Sequence, residues 1–138
     1  MSLIKKELSV KKSITLSFTF NGIAWFIIGI CFAIDSNITS VISVIALLYI
    51  MVNLFKLCTY KRGIRDEMSN FNILKAQAKS YMITALLIAI ALLSLGFIAN
   101  IFPNTNPFQK DVILPLHFSI LGISFIIVGI LFKKYEEE

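Results

Sequence analysis

The chain has 138 residues, 57% of them apolar, and a formal net charge of +5, with a mean hydropathy of +0.83. This length allows one domain, and a water-soluble domain of that size does not carry so much apolar surface, so the excess is expected to face lipid. The basic balance does not point to nucleic acid, because the cations sit in short segments between apolar runs, as topology signals do, and build no single binding face.

A basic segment with Lys5, Lys6, Lys11 and Lys12 precedes the first uncharged run, Ile14 to Ile34, which as a helix crosses a hydrocarbon core of about 30 Å. The run is too long for a signal-peptide core and no small-x-small cleavage site follows it, so the first span is expected to direct insertion itself. The turn Asp35-Ser36-Asn37 leads to a second run from Ile38, uncharged to Phe55 and extendable to Cys58. Asp35 reads as the start of that turn or the cap of the second helix, with a coupling-ion role as the sharper alternative. A polar connection over 59–80 follows, then a third run from Tyr81 to Phe102, a short loop from Pro103, a fourth run from Val112 to Phe132, and a charged tail from Lys133 to Glu138. Backbone polar groups cannot go unpaired in lipid, so each run is predicted helical, and four strands are too few to close a barrel.

The expected fold is all-α, an integral membrane four-helix bundle that forms a single domain over 1–138. Twelve of the thirteen cations fall on the side of the two termini, with Lys110 the exception. The positive-inside bias makes that side cytoplasmic and the protein N-in/C-in. The abundance of Ile, Asn and Lys suggests a low-GC bacterium, hence a multi-pass protein of the bacterial cell membrane. Cys31 and Cys58 lie at opposite ends of the first two spans, so a disulfide, which needs Cα atoms within about 7 Å, is not expected.

In lipid, small residues that permit close backbone approach mark helix contacts. The candidates are Gly22, Gly29 and Ala33 in the first span; Ser43, Ala46 and Asn53 in the second; Ala85, Ala89 and Gly96 in the third; and Ser119, Gly122 and Gly129 in the fourth. They are expected to hold the bundle together, or else to support homo-oligomerisation or docking on another membrane protein. Asn21, Asn53 and Asn100 are candidates for hydrogen bonds across helices. Phe18 to Phe32 aligns without a gap to Phe118 to Phe132, with glycines at the same spacing. The match stops at the flanks and is read as coincidence, the alternative being an inverted repeat of the transporter kind.

Within 59–80, Gly63 after Lys61-Arg62 reads as a helix stop. A straight helix from Arg65 to Ser80 would measure about 24 Å, more than twice the protrusion expected of the second span. A break at Ser69 to Asn72, or a segment along the membrane surface, is therefore expected. Arg65, Asp66 and Glu67 are candidate contacts for a partner, against the plainer reading of a solvated turn. The stretch Arg65-Asp66-Glu67-Met68 followed by Lys75-Ala76 resembles the Asp-Glu-Arg, six residues, Lys-Ala pattern that precedes a span in small bacterial four-helix integral membrane proteins of unknown function. The resemblance covers the connection and the start of the third span; Met68 stands where the pattern has Arg. It implies a topology and not a reaction.

The search for chemistry returns absences. His117 is the only histidine, neither cysteine has a second ligand at metal spacing, and no glycine-rich phosphate loop is present. No cofactor, metal or catalytic residue is therefore expected. His117, two residues after Pro115, is either a packing histidine at a kink or a ligand or proton contact. The leading expectation is a non-catalytic protein acting through helix contacts, as an accessory subunit of a transporter or signalling complex or as an immunity protein against a membrane-active toxin. The alternatives are an oligomeric transporter or channel and a permeabilising, holin-like protein. The chain resembles small multidrug transporters in size and span number, yet lacks the glutamate in the first span on which their proton coupling depends.

Overall fold

The computed structural model describes residues 7–34, 36–59, 61–62, 67–102, 104 and 108–137. Four helices, α1 (Val10–Ile34), α2 (Asn37–Thr59), α3 (Glu67–Ile101) and α4 (Lys110–Glu137), are each long and apolar enough to cross a membrane. The one ladder among the described residues is a two-residue parallel pairing of β1 (Glu7–Leu8) with β2 (Lys61–Arg62). It lies at the end of the molecule that carries both chain termini, the termini end; the α1–α2 and α3–α4 turns mark the opposite, turn end.

Local chemistry sets the helix boundaries. Ser36 caps α2: its Oγ accepts from the Thr39 amide at 3.2 Å while the Thr39 Oγ1 accepts from the Ser36 amide at 2.9 Å, a reciprocal pairing of the capping-box type. Asp35, expected at this turn, lies outside the described residues. Within α1 the backbone widens to a π turn over Thr15–Phe20. Thr15 and Ser17 donate to the carbonyls of Lys11 and Ser13 at 2.9 and 2.8 Å, and such back-bonding competes with the amide ladder that a tighter helix needs.

The centre of the fold is an antiparallel seam between α1 and α4 made by glycines. A Cβ at Gly22 would lie 2.8 Å from the Gly122 carbonyl oxygen and from the Ile126 amide, and one at Gly122 would lie 2.7 Å from the Gly22 carbonyl oxygen. Further out, Gly29 meets Ser119 and Gly129 meets Thr19. Aromatic rings flank the crossing: Trp25 stacks on Phe118 at 5.4 Å and Phe18 meets Phe125 edge-on at 5.9 Å. Each contact has its mirror in the alignment of Phe18–Phe32 with Phe118–Phe132. The matched segments therefore pack on one another about a local pseudo-two-fold, and the resemblance read as coincidence is the sequence of a self-complementary seam.

The other helices attach to the outer sides of this pair. Packing runs in the order α2, α1, α4, α3, and α2 and α3 make no substantial contact with each other. The four helices of the expected all-α bundle thus form an open row. Ala24 and Ile28 of α1 pack on Ala46 and Ile50 of α2. At the termini end Ile14, Val128 and Phe132 enclose Ile73 and Ala76 of α3. The outward surface is apolar along the spans, with Ile38 75% and Leu93 73% exposed.

The connection expected over 59–80 is mostly helix. α2 ends at Thr59, short of Gly63, which lies outside the described residues, and α3 runs unbroken from Glu67 to Ile101, about 52 Å at the standard rise. The expected break at Ser69–Asn72 is absent because these polar side chains have partners. Ser69 donates to a Glu136 carboxylate oxygen, and the Asn72 amide donates to that oxygen and to the Tyr135 carbonyl, all at 3.1 Å. The tail supplies those partners because α4 stays helical through Glu137, so two helices protrude side by side.

Substitution by alanine separates seam glycines from the rest. Gly22→Ala or Gly122→Ala should cost about 2 kcal/mol, since the new methyl meets backbone that cannot step aside. Gly96→Ala, with nothing within 4 Å, should be neutral or gain up to about 1 kcal/mol of helix propensity. Unfolding curves in mixed micelles measure both; equal effects at the two kinds of site would contradict the seam.

Candidate functional site

The polar side chains inside the row are spent on holding helices together. Asn53, 1% exposed, donates from its amide to the Asn21 carbonyl oxygen at 3.0 Å, joining α2 to α1. Ser80, fully buried, donates to the Ser124 carbonyl at 2.9 Å and joins α3 to α4. Lys75 lies over the Tyr135 ring at 4.3 Å from its centroid, and the exposed Lys11–Glu137 pair at 3.7 Å adds little, as surface ion pairs do.

These contacts tie α3 to α4 only over the half nearer the termini. Beyond Ser80 the inward positions of α3 are half-buried, and Leu95 is the single buried residue of that stretch. Toward the turn end a groove of about 600 Å³ lies between α3, α4 and the end of α1. Ala33, Ala91, Leu95, Val112 and Leu116 make its apolar walls, Pro115 and Ser119 its floor, and Ser94 and Asp111 its polar edge. Pro115 lacks an amide hydrogen, so the Asp111 carbonyl four residues earlier has no helical donor. Asp111 lies in the first turn of α4, where a carboxylate is also favoured by the helix dipole. A smaller groove, about 250 Å³, lies further down the same seam between Tyr81, Thr84 and Ile88 of α3 and His117, Leu121 and Ser124 of α4.

The sequence-derived candidates fall into three groups. Gly22, Gly29, Gly122 and Gly129 meet at the central seam, and Ala46 is buried against α1. Ser43 is half-buried, its hydroxyl donating to the Thr39 carbonyl at 3.0 Å, and it lines a pocket beside Cys31. Ala85 and Ala89 are exposed and Gly96 half-buried with open space around it. The inward stripe of α3 is instead Ser69, Asn72, Ile73, Ala76 and Ser80, because it is chosen by what α4 offers and not by residue size alone. His117 is exposed, edge-on to Phe118 at 5.7 Å, and separate from the larger groove that holds Asp111. Glu67 is exposed in the first turn of α3; Arg65 and Asp66 lie outside the described residues. Cys31 is buried and Cys58 exposed, both free.

Sequence reasoning did not single out Ser80, Ser94 or Asp111. A signal existed for the first: Ser69, Asn72, Ala76 and Ser80 recur at helical spacing. Starting the third span at Tyr81 cut that stripe off. Among the described residues no three His, Cys, Asp or Glu side chains group to hold a metal ion, and the larger groove pairs one carboxylate with two hydroxyls, a set suited to binding.

Asn53→Leu should cost about 1 kcal/mol in micelle unfolding, because the Asn21 amide is left without its partner. The double variant Asn21→Leu/Asn53→Leu should cost less than the two single changes summed; strict additivity would show that the two amides do not interact.

No protein-family model matches the chain, and neither a curated protein nor a solved structure shows significant similarity to it.

Proposed function

We propose that this chain is a multi-pass protein of the bacterial cytoplasmic membrane, N-in and C-in, that works without catalysis by docking α3 sideways on another integral membrane protein as its accessory subunit. The observation that carries the reading is a mismatch on α3: its most apolar 18-residue stretch is more hydropathic than that of any other helix and the least buried. Its free side presents Ala85 and Ala89, one turn apart and exposed. In lipid an exposed pair of small residues one turn apart lets a second helix bring its backbone close, which a row of Leu and Phe does not.

The orientation rests on the cations. Twelve of the thirteen belong to sequence segments on the side of the two termini, Lys110 being the exception, and by the positive-inside bias that side is the cytoplasmic one. A transporter partner, a signalling partner and a membrane-active toxin, the last giving an immunity role, all use the same lateral contact. A coupled transporter is disfavoured because no Asp, Glu, Lys or Arg falls within Ile14–Ile34, Ile38–Phe55, Tyr81–Phe102 or Val112–Phe132, and the one histidine there, His117, is exposed on α4 beside Phe118.

A photoreactive residue placed at Ala85 or Ala89 in native membranes tests the docking. One discrete adduct with a different membrane protein is expected, and none from Leu48 on the exposed side of α2. An adduct with a second copy of the chain, or no adduct at either position, overturns the accessory role. Reporter tags on the two termini should both read cytoplasmic; opposite compartments would exclude the orientation.

A further inference from the structure

We propose that the groove at the turn end is a binding site for one phospholipid with a primary-amine head group, its ammonium on the Asp111 carboxylate and an acyl chain along the apolar walls. The proposal rests on the reading that the row lies in a bilayer. It adds a ligand that the helix-docking reading does not require.

The shape comes first. The groove encloses about 600 Å³, within the range of small-molecule sites, roughly 300–1,000 Å³. It is unfilled because Ala33 and Ala91 are too short to reach across the gap between α3 and α4, and of its lining only Leu95 and Pro115 are buried. A groove between helices of an open row faces lipid along its length, and acyl chains are the solvent that enters it.

The position of the charge selects the lipid. Asp111 immediately precedes the uncharged run that starts at Val112, so its carboxylate sits at the level where head groups meet hydrocarbon. A carboxylate only accepts hydrogen bonds, and an ammonium only donates them. Ethanolamine therefore pairs with Asp111, choline has no N–H to offer, and the phosphate of an anionic lipid such as phosphatidylglycerol meets a like charge. The Ser94 hydroxyl donates to the Ile90 carbonyl at 2.8 Å and keeps its lone pairs at the groove edge for a second ammonium hydrogen.

The test is native mass spectrometry of the whole protein released from nanodiscs made of equal parts phosphatidylethanolamine, phosphatidylcholine and phosphatidylglycerol. Wild type should retain one phosphatidylethanolamine about tenfold over either competitor, the ratio that one charge-assisted contact supplies. Asp111→Asn should bring retention to parity while circular dichroism stays unchanged, and Asp111→Glu should restore the preference. Ala91→Trp, which fills the groove, should abolish retention of any lipid. Equal retention of the three lipids by wild type, or an unchanged preference in Asp111→Asn, overturns the site. Failure of the protein to enter nanodiscs at all would instead strike at the membrane reading, so the two failures are distinguishable.

Discussion

Two helices in lipid gain little from hiding apolar surface, because the solvent is as apolar as they are; close backbone contact and hydrogen bonds have to hold them together. The α1–α4 seam meets that constraint with Gly22 against Gly122, and with Gly29 and Gly129 each facing a hydroxyl residue of the opposite helix. Because the two segments repeat one another, Gly29 on Ser119 is matched by Gly129 on Thr19, and Trp25 beside Phe118 by Phe125 beside Phe18. One short pattern of Gly, Phe and Ser or Thr thus serves both sides. The rest of the row is built outward from this pair.

The outward construction explains the asymmetry of α3. At the termini end it is fastened by Glu136 of α4, by Ser124 and by the cluster around Phe132. Toward the turn end α4 turns its glycine and serine face to α1, and α3 is only half-buried there apart from Leu95. Two consequences share this origin: an exposed, small-residue side on α3, and a groove with Asp111 at its rim. The proposed protein contact and the proposed lipid contact are therefore separate uses of one incomplete interface. An open row is also a physically incomplete object, since its end helices, α2 and α3, each keep a side with no neighbour among the described residues.

Much of this was legible in the residues. The four uncharged runs, their helical character and the glycines of the first and fourth spans follow from composition and spacing. Four features were not. The length of α3 was hidden because Ser69, Asn70 and Asn72 look like a turn when read locally; their role depends on Glu136, far along the chain. The inward side of α3 was misjudged because Ala85 and Ala89 are small, and smallness marks capacity for contact without saying with what. The open row was invisible for a third reason: a sequence shows which faces each helix has to offer, but pairing is decided between helices. Asp111 was passed over because, as a lone first-turn carboxylate, it carries no motif; the groove beside it exists only once α3, α4 and the end of α1 come together.

The most direct measurement is disulfide formation across the seam in membranes. A Cβ at Gly129 would lie 3.2 Å from the Thr19 Cβ, a few tenths of an ångström short of the roughly 3.5–4.5 Å separation that a disulfide spans, and the Thr19 hydroxyl it would meet is removed in Thr19→Cys. With Cys31 and Cys58 replaced by alanine, the pair Thr19→Cys and Gly129→Cys should close fully under mild oxidation and shift the monomer band on a non-reducing gel. The control pair Ala46→Cys and Ala89→Cys, on the two end helices, should stay reduced. An open first pair, or a second pair that closes equally well, would contradict a row built on the α1–α4 seam.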